Sequence, residues 1–317
     1  GIPTAAFRTF NDIDEAVAYV EDHGGPLVVK ASGLAAGKGA IVCEATDEAL
    51  AATRSLLADR TLGEAGGTVV IEEFMRGEEL SIFALSDGEQ VVPLLPSQDH
   101  KRVGEGDTGL NTGGMGAYAP VSIADPGLQE RIEREILRPT VAAMAAEGRP
   151  FRGLLYAGIM LSDEGPMVVE FNCRFGDPET QAVLPLLKSS LLEPMLAIAR
   201  GEGLGRWVQE GLEWHSGAAV ATVIAAEGYP GGYPRGLEIE IPDSVRDADD
   251  LLVLHGGTAL QGDRLVSTGG RILSVTAIGP TVEAAAARSR EGAATIRINR
   301  SFFRRDIAWR EVARVGA

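Results

Sequence analysis

The sequence predicts an α/β (α+β) fold, and three observations carry that prediction. Hydrophobic residues make up 45% of the 317 positions but aromatics only 5%, so the core must be aliphatic. Forty glycines punctuate the chain and supply turns between short elements. Aliphatic strand-like runs such as PLVVK and TVVIEE alternate with segments whose apolar residues recur at helical spacing. A chain of this length buries a large core and divides into two or three lobes.

Residues 11–23 open on a capping residue and place Ile13, Val17 and Val20 on one helical face. Residues 26–30 form a strand, a glycine-rich loop follows over 33–39, and 40–43 is a second strand. A helix over 47–59 precedes strands at 68–73 and 80–86. The polar, glycine-rich stretch 97–118 is too long to be a passive connection in a compact domain. A helix at 129–146 leads to strands at 154–161 and 167–171, with Asp163, Glu164 and Gly165 as their turn, and then a mostly helical 186–200. Beyond residue 216 the style changes to short strands (220–225, 237–241, 271–277) closed by a helix at 282–296. The expected lobes are therefore 1–73, 74–215 and 216–317.

The formal charge of −16 argues against a nucleic-acid partner, since phosphate backbones would be repelled over most of the surface. No run is long and apolar enough for a membrane helix. Cys43 and Cys173 stand in strand-like stretches and read as buried, reduced thiols, which suits a cytoplasmic protein. The opening Gly1-Ile2-Pro3-Thr4 reads like the middle of a chain.

Four segments hold chemistry. Lys30-Ala-Ser-Gly-Leu-Ala-Ala-Gly-Lys-Gly39 resembles a P-loop but has one residue too few between Gly33 and Gly37, and Gly39 stands where the metal-binding hydroxyl belongs. It remains a glycine hairpin whose amides and lysines can meet phosphate, or an ordinary turn with a solvated lysine. Val69–Glu79 runs strand, linker, strand. It offers backbone to a purine edge near Phe74 and Met75, and a carboxylate at Glu79 for ribose hydroxyls; a charged surface turn is the alternative. Glu170 and Asn172 alternate with Val169 and Phe171 and so share one strand face, where hard oxygens suit magnesium. Arg174, Gly176, Asp177 and Glu179 follow at once. Gln98-Asp-His-Lys-Arg102 leads into Gly106–Gly116, basic residues ahead of a glycine- and threonine-rich loop that can close over an anion. His100 reads equally as a hydrogen-bonding core residue, and His23, His215 and His255 show no metal spacing.

Taken together, Lys30–Gly39, Gln98–Arg102, Asn111-Thr-Gly-Gly-Met-Gly-Ala-Tyr118 and Glu170-Phe-Asn-Cys-Arg-Phe-Gly-Asp-Pro-Glu-Thr-Gln181 closely resemble phosphoribosylamine–glycine ligases, from about residue 1 to the end. The tail adds His255-Gly-Gly-Thr258, Gly269-Gly-Arg-Ile-Leu-Ser-Val275 and Phe303-Arg-Arg-Asp-Ile307. The resemblance implies an ATP-grasp fold with a small lid lobe, a larger catalytic lobe and a β-rich C-terminal lobe. It implies ATP held by Lys30, Gly37, Lys38, Gly39, Glu72, Met75 and Glu79, and magnesium, or manganese in its place, on Glu170 and Asn172. Lys101, Arg174 and Asp177 would be catalytic. Asp99, Asn111, Gly113, Gly114, Asp177 and Glu179 would bind glycine and 5-phosphoribosylamine. The implied reaction passes through glycyl phosphate to glycinamide ribonucleotide, ADP and phosphate.

Three departures qualify it. The family's N-terminal Rossmann-like domain is absent and would be a partner of this chain. Gly158 stands where many members of the wider superfamily place a third metal carboxylate. Ala308 replaces a usual glycine. The competing expectations are another ATP-grasp carboxylate–amine ligase, disfavoured by 111–118 and 175–181, and a nucleotide-binding fragment without full turnover.

Overall fold

A computed structural model describes residues 1–35 and 39–316. The expected phosphate contacts of Gly37 and Lys38 lie outside the described residues. The chain divides into two compact units.

The first unit comprises Pro3–Glu78 and the segment Met160–Val169. Strands β1 (Phe7–Phe10), β2 (Leu27–Ala31), β3 (Ala40–Cys43) and β4 (Val69–Glu73) form a sheet of order β1-β4-β2-β3. Helices α1 (Ile13–His23) and α2 (Thr46–Thr53) pack against it, burying Val20, Leu27, Val29, Ala49, Leu56, Val69 and Ile71 in one core. Asp12, rather than Asn11, caps α1: its carboxylate accepts from the amides of Asp14 (2.9 Å) and Glu15 (3.1 Å). Gly24 ends the helix in a left-handed turn.

The second unit comprises Glu79–Ile159 and Glu170–Ala317. Its strands begin with β5 (Glu78–Asp87), β6 (Val91–Pro93), β7 (Gln98–Asp99), β8 (Arg102–Gly104), β9 (Thr108–Asn111) and β10 (Gly116–Ala119). The long hairpin β11 (Arg152–Ser162) and β12 (Gly165–Asn172) runs out of this unit and back, and gives a sheet of order β12-β11-β5-β6. A larger sheet is built on β13 (Ala218–Ala226), which pairs with β10 on one side. Strands from either side of residue 216 therefore share one sheet. On its other edge β13 pairs with the strand Arg271–Gly279, which pairs in turn with Leu251–His255. Among the described residues, one core gathers around Phe83, Tyr156, Val183 and Leu186 and another around Ile224, Leu273, Val275 and Ile298.

Several expected elements differ in extent. The expected helix over 129–146 is Pro126–Ile132, a wide turn at Glu133–Leu137, and Arg138–Ala146. Pro139 has no N–H to give to the preceding turn, so the helix widens there. The expected helix at 186–200 begins only at Leu192. Before it, the amides of Lys188 and Ser189 donate to the Glu213 carbonyl, which draws that segment into an extended path. Cys43 is buried as expected, and burial lifts its thiol to about 11, but Cys173 is exposed just beyond β12. Ala308 adopts φ 69°, the left-handed region in which glycine is unstrained, and the departure from the family pattern falls on that position.

Candidate active site

The first unit provides Lys30 and the linker after β4. Lys30 lies on β2, and its Nζ meets the Glu72 carboxylate at 2.6 Å and the Val169 carbonyl at 3.1 Å. Glu72 lies inside β4, flanked by Phe7 and Val28, whereas Met75 lies in the short linker before β5. The strand–linker–strand arrangement expected here is present. Gly77 bends the linker with φ 153°. Gly39 is buried, and a Cβ on it would come within 2.6 Å of the Ala35 Cβ, so close packing already requires a glycine there.

In the second unit the stretch beginning at Gln98 and the Asp177–Glu179 turn come together. Glu179 is 3% exposed and accepts from the hydroxyls of Tyr156 (3.0 Å) and Ser81 (3.3 Å). Gly176 makes room for this carboxylate, because a Cβ there would sit 2.5 Å from Glu179 Oε2. Lys101 donates to the Glu79 carboxylate, so the residue expected at the ribose and one expected in catalysis form an ion pair. Burial, then the charge of Glu179, pushes the Asp99 carboxyl well above the ordinary range, and Lys101 and Arg271 only partly offset this. The Asp99 Oδ1 is buried without a hydrogen-bond partner. Burial opposes the charged form of Lys101, but Glu79 and Asp99 outweigh it and raise its pKa.

Thr112 closes the loop that follows: its N–H and hydroxyl both donate to the Lys101 carbonyl, at 2.7 and 2.8 Å. Gly114 has φ 108° and packs against Pro178, so no side chain fits. Gly113 and Asn111 are exposed at the loop surface. Asp177 accepts from Arg271 at 3.1 Å. Arg174 is exposed, and its guanidinium donates to the neighbouring Phe175 carbonyl at 2.9 Å.

Glu170 and Asn172 do share a face of β12, with the Asn172 amide nitrogen donating to Glu170 Oε1 at 3.2 Å. That contact leaves the amide oxygen and the second carboxylate oxygen as hard donors. Gly158 lies beside them; a Cβ there would meet the Glu170 Cγ at an ordinary 3.5 Å. No group of three or more His, Cys, Asp or Glu with metal-binding geometry occurs among the described residues. A two-oxygen set suits magnesium, which completes its shell with phosphate oxygens and water.

His100 is structural. Its Nε2 accepts from the Ala308 amide at 2.9 Å, which leaves Nδ1 to face Asp107 at 3.4 Å, and burial lowers its pKa. Asp107 also accepts from Arg304 (2.9 Å) and the Trp309 indole (3.1 Å), tying the β8–β9 hairpin to the C-terminal segment. Ser81, Tyr156 and Arg271 were not singled out from sequence as site residues. Ser81 and Tyr156 lie in strands that read only as core, and Arg271 stands in the Gly269–Val275 tail motif, which carries the resemblance but no site role.

The phosphoribosylglycinamide synthetase ATP-grasp (A) domain matches residues 1–180, and the C domain of the same synthetase matches residues 219–310. The chain is 47% identical over 314 residues to phosphoribosylamine–glycine ligase of Vibrio cholerae, covering 99% of this chain and 72% of that protein. It is 48% identical over 314 residues to the Pasteurella multocida ligase, with the same coverage. The crystal structure of the Thermotoga maritima ligase superposes with a TM-score of 0.87 at 35% identity, over 97% of this chain and 75% of that one. A Hydrogenobacter thermophilus biotin carboxylase domain, crystallised with MgADP, shares the fold at 19% identity and a TM-score of 0.70, over 96% of this chain and 64% of that one.

Proposed function

Because this chain belongs to the phosphoribosylglycinamide synthetase family, we propose that it joins glycine to 5-phosphoribosylamine at the expense of ATP, forming glycinamide ribonucleotide, ADP and phosphate. The observation that carries this reading is the convergence in one unit of three family segments. Lys101, the Thr112–Gly114 loop and the Asp177–Glu179 turn meet through hydrogen bonds, although 78 positions separate Lys101 from Glu179.

In this reading the glycine carboxylate attacks the γ-phosphate, and the amine then displaces phosphate from the acyl carbon. Lys30, freed from Glu72, neutralises nucleotide phosphate; Gly37, Lys38 and Gly39 close over it; Met75 and the Glu72 strand end present backbone to adenine. Glu170 and Asn172 would hold magnesium, or manganese with the same oxygen preference, which would supply charge stabilisation for the phosphoryl group when bound. Asp99 and Glu179 face the glycine ammonium and the attacking amine, whose proton a carboxylate can accept, and Lys101 stabilises the developing acyl-phosphate oxygen. Glu79 holds Lys101 in place and exchanges that contact for ribose. Asn111, Gly113 and Gly114 line the substrate, with Arg174 and Asp177 at its edge. No protein nucleophile is needed, because the phosphate is the leaving group. The lobes 1–73, 74–215 and 216–317 remain our functional division.

An ADP-release assay tests the function. ADP should form only when ATP, magnesium, glycine and phosphoribosylamine are all present, and glycinamide ribonucleotide should accumulate one for one. Release independent of glycine, or product without ADP, would discard the ligase reading.

No helix among the described residues is long and apolar enough to cross a membrane.

A further inference from the structure

We infer that Arg271 and Tyr229 form a clasp that fixes the Gly113–Gly114 loop against Asp177, which makes Arg271 a positioning residue for the ligation. The inference rests on the function proposed above for the substrate role of that loop, while the clasp itself rests on contacts within the second unit.

Gly113 is gripped at both of its polar groups. Its carbonyl accepts from Arg271 Nη1 at 2.6 Å, and its N–H donates to the Tyr229 hydroxyl at 3.0 Å. The same Nη1 reaches the Asp177 carbonyl at 2.6 Å and its carboxylate at 3.1 Å, and approaches the Gly114 carbonyl at 3.4 Å. One guanidinium nitrogen thus binds two segments that lie more than sixty residues apart in sequence and about 100 to 160 residues away from Arg271 itself. Both gripping residues have supported bases. Arg271 sits in the strand Arg271–Gly279, paired to Ala225 on β13, and its carbonyl accepts from Gly257 at 3.0 Å. Tyr229 stacks edge-on to Tyr233, with ring centroids 6.1 Å apart, over a bare Gly270. A Cβ at 270 would lie 2.3 Å from the Tyr229 ring and 2.9 Å from the Tyr233 ring, and a Cβ at 113 would lie 3.0 Å from the guanidinium carbon.

Asn111, Gly113 and Asp177 are exposed, while the next residues Gly114 and Pro178 are buried and pack on each other. Polar contacts set the position of Gly113 and Asp177, so removing the clasp should loosen these positions locally and leave the cores intact. A misplacement of about 1 Å in a substrate-positioning element costs on the order of 10²-fold in rate.

The test compares Arg271→Met, Arg271→Lys and Tyr229→Phe with wild type. In Arg271→Met, kcat/KM for glycine should fall about 10²-fold with a raised KM, while the Kd for magnesium ATP stays within about twofold. Arg271→Lys should recover part of this, because an ammonium has three donors for the acceptors clustered at Nη1. Tyr229→Phe should lose roughly 2- to 10-fold, as expected for one hydrogen bond. A contact that merely stabilised the fold would lower Tm and nucleotide affinity together without touching the glycine KM, and that pattern overturns the proposal. If Arg271→Met does not fold, wild-type kinetics in both other variants overturns it. Amide hydrogen exchange over residues 112–116 supplies a readout independent of turnover. Faster exchange confined to those amides supports the clasp, and unchanged exchange refutes it even if the wild-type protein proves not to be a ligase.

Discussion

Within the second unit, the partly buried cluster around Asp99, Lys101 and Glu179 and the exposed end of β12 at Glu170–Asn172 differ in how their charges are held. In the cluster nearly every polar group already has a protein partner: Glu179 takes two hydroxyls, and Lys101 takes Glu79. Its ionisations are displaced in consequence, with Asp99 and Lys101 both raised. At the end of β12, Glu170 is exposed and has one weak amide neighbour. The first region is preorganised by the fold. The second leaves its oxygens for something the chain does not supply. Burial therefore separates residues that hold a site together from residues that complete it on binding.

Substitutions can break that contrast. The largest effect is expected for Glu170→Ala, which should lower magnesium-dependent turnover about 10³-fold, comparable to removing a group that stabilises transition-state charge. Its unfolding free energy should change by less than about 0.5 kcal/mol, because the side chain is exposed. Normal turnover in this variant would remove the metal assignment. Glu179→Ala should do what Glu170→Ala does not, and cost about 1–3 kcal/mol in denaturant unfolding by removing the shared acceptor of the Ser81–Tyr156 hydroxyl pair. An unchanged midpoint would mean that the cluster is not a structural unit.

The smallest effect sharpens the comparison through pH. Asp99 has a raised folded pKa, so the folded chain holds its proton to higher pH than the unfolded chain does. Stability is therefore lost as pH rises above the unfolded value of about 3.9, and the loss levels off once Asp99 ionises in the folded state. Asp99→Asn should remove that loss and stabilise the protein by about 1 kcal/mol at pH 8, with little difference near pH 4. Glycine-dependent turnover should fall in the same variant. A denaturant series across pH decides it, and an Asp99→Asn protein less stable than wild type at pH 8 would contradict the assigned sign.

Local pattern made some of this legible in the sequence. The alternation in β12 put Glu170 and Asn172 on one face, and the run through β4 and β5 showed a linker at Met75. Both follow from two-residue periodicity over a few positions. The same reasoning failed where long-range contacts decide. The helix expected from 186 gave way to contacts with Glu213. Cys173 looked buried because it continues a strand, yet the strand ends at Asn172. Ser81 and Tyr156 read as core strand residues, yet their hydroxyls meet each other and Glu179, 98 and 23 positions away.

The order of motifs, their residue types and the family they signal were determined by the sequence alone. So were the local elements that present Lys30, Glu170 and Asn172. Tertiary structure decided which of those residues meet: β10 pairing with β13 across residue 216, Glu79 taking Lys101, and Arg271 reaching Gly113 and Asp177. The physical reason is range. Periodicity reports which way a side chain points from its own backbone, whereas burial, charge pairing and pKa depend on atoms brought close by the closure of distant chain segments.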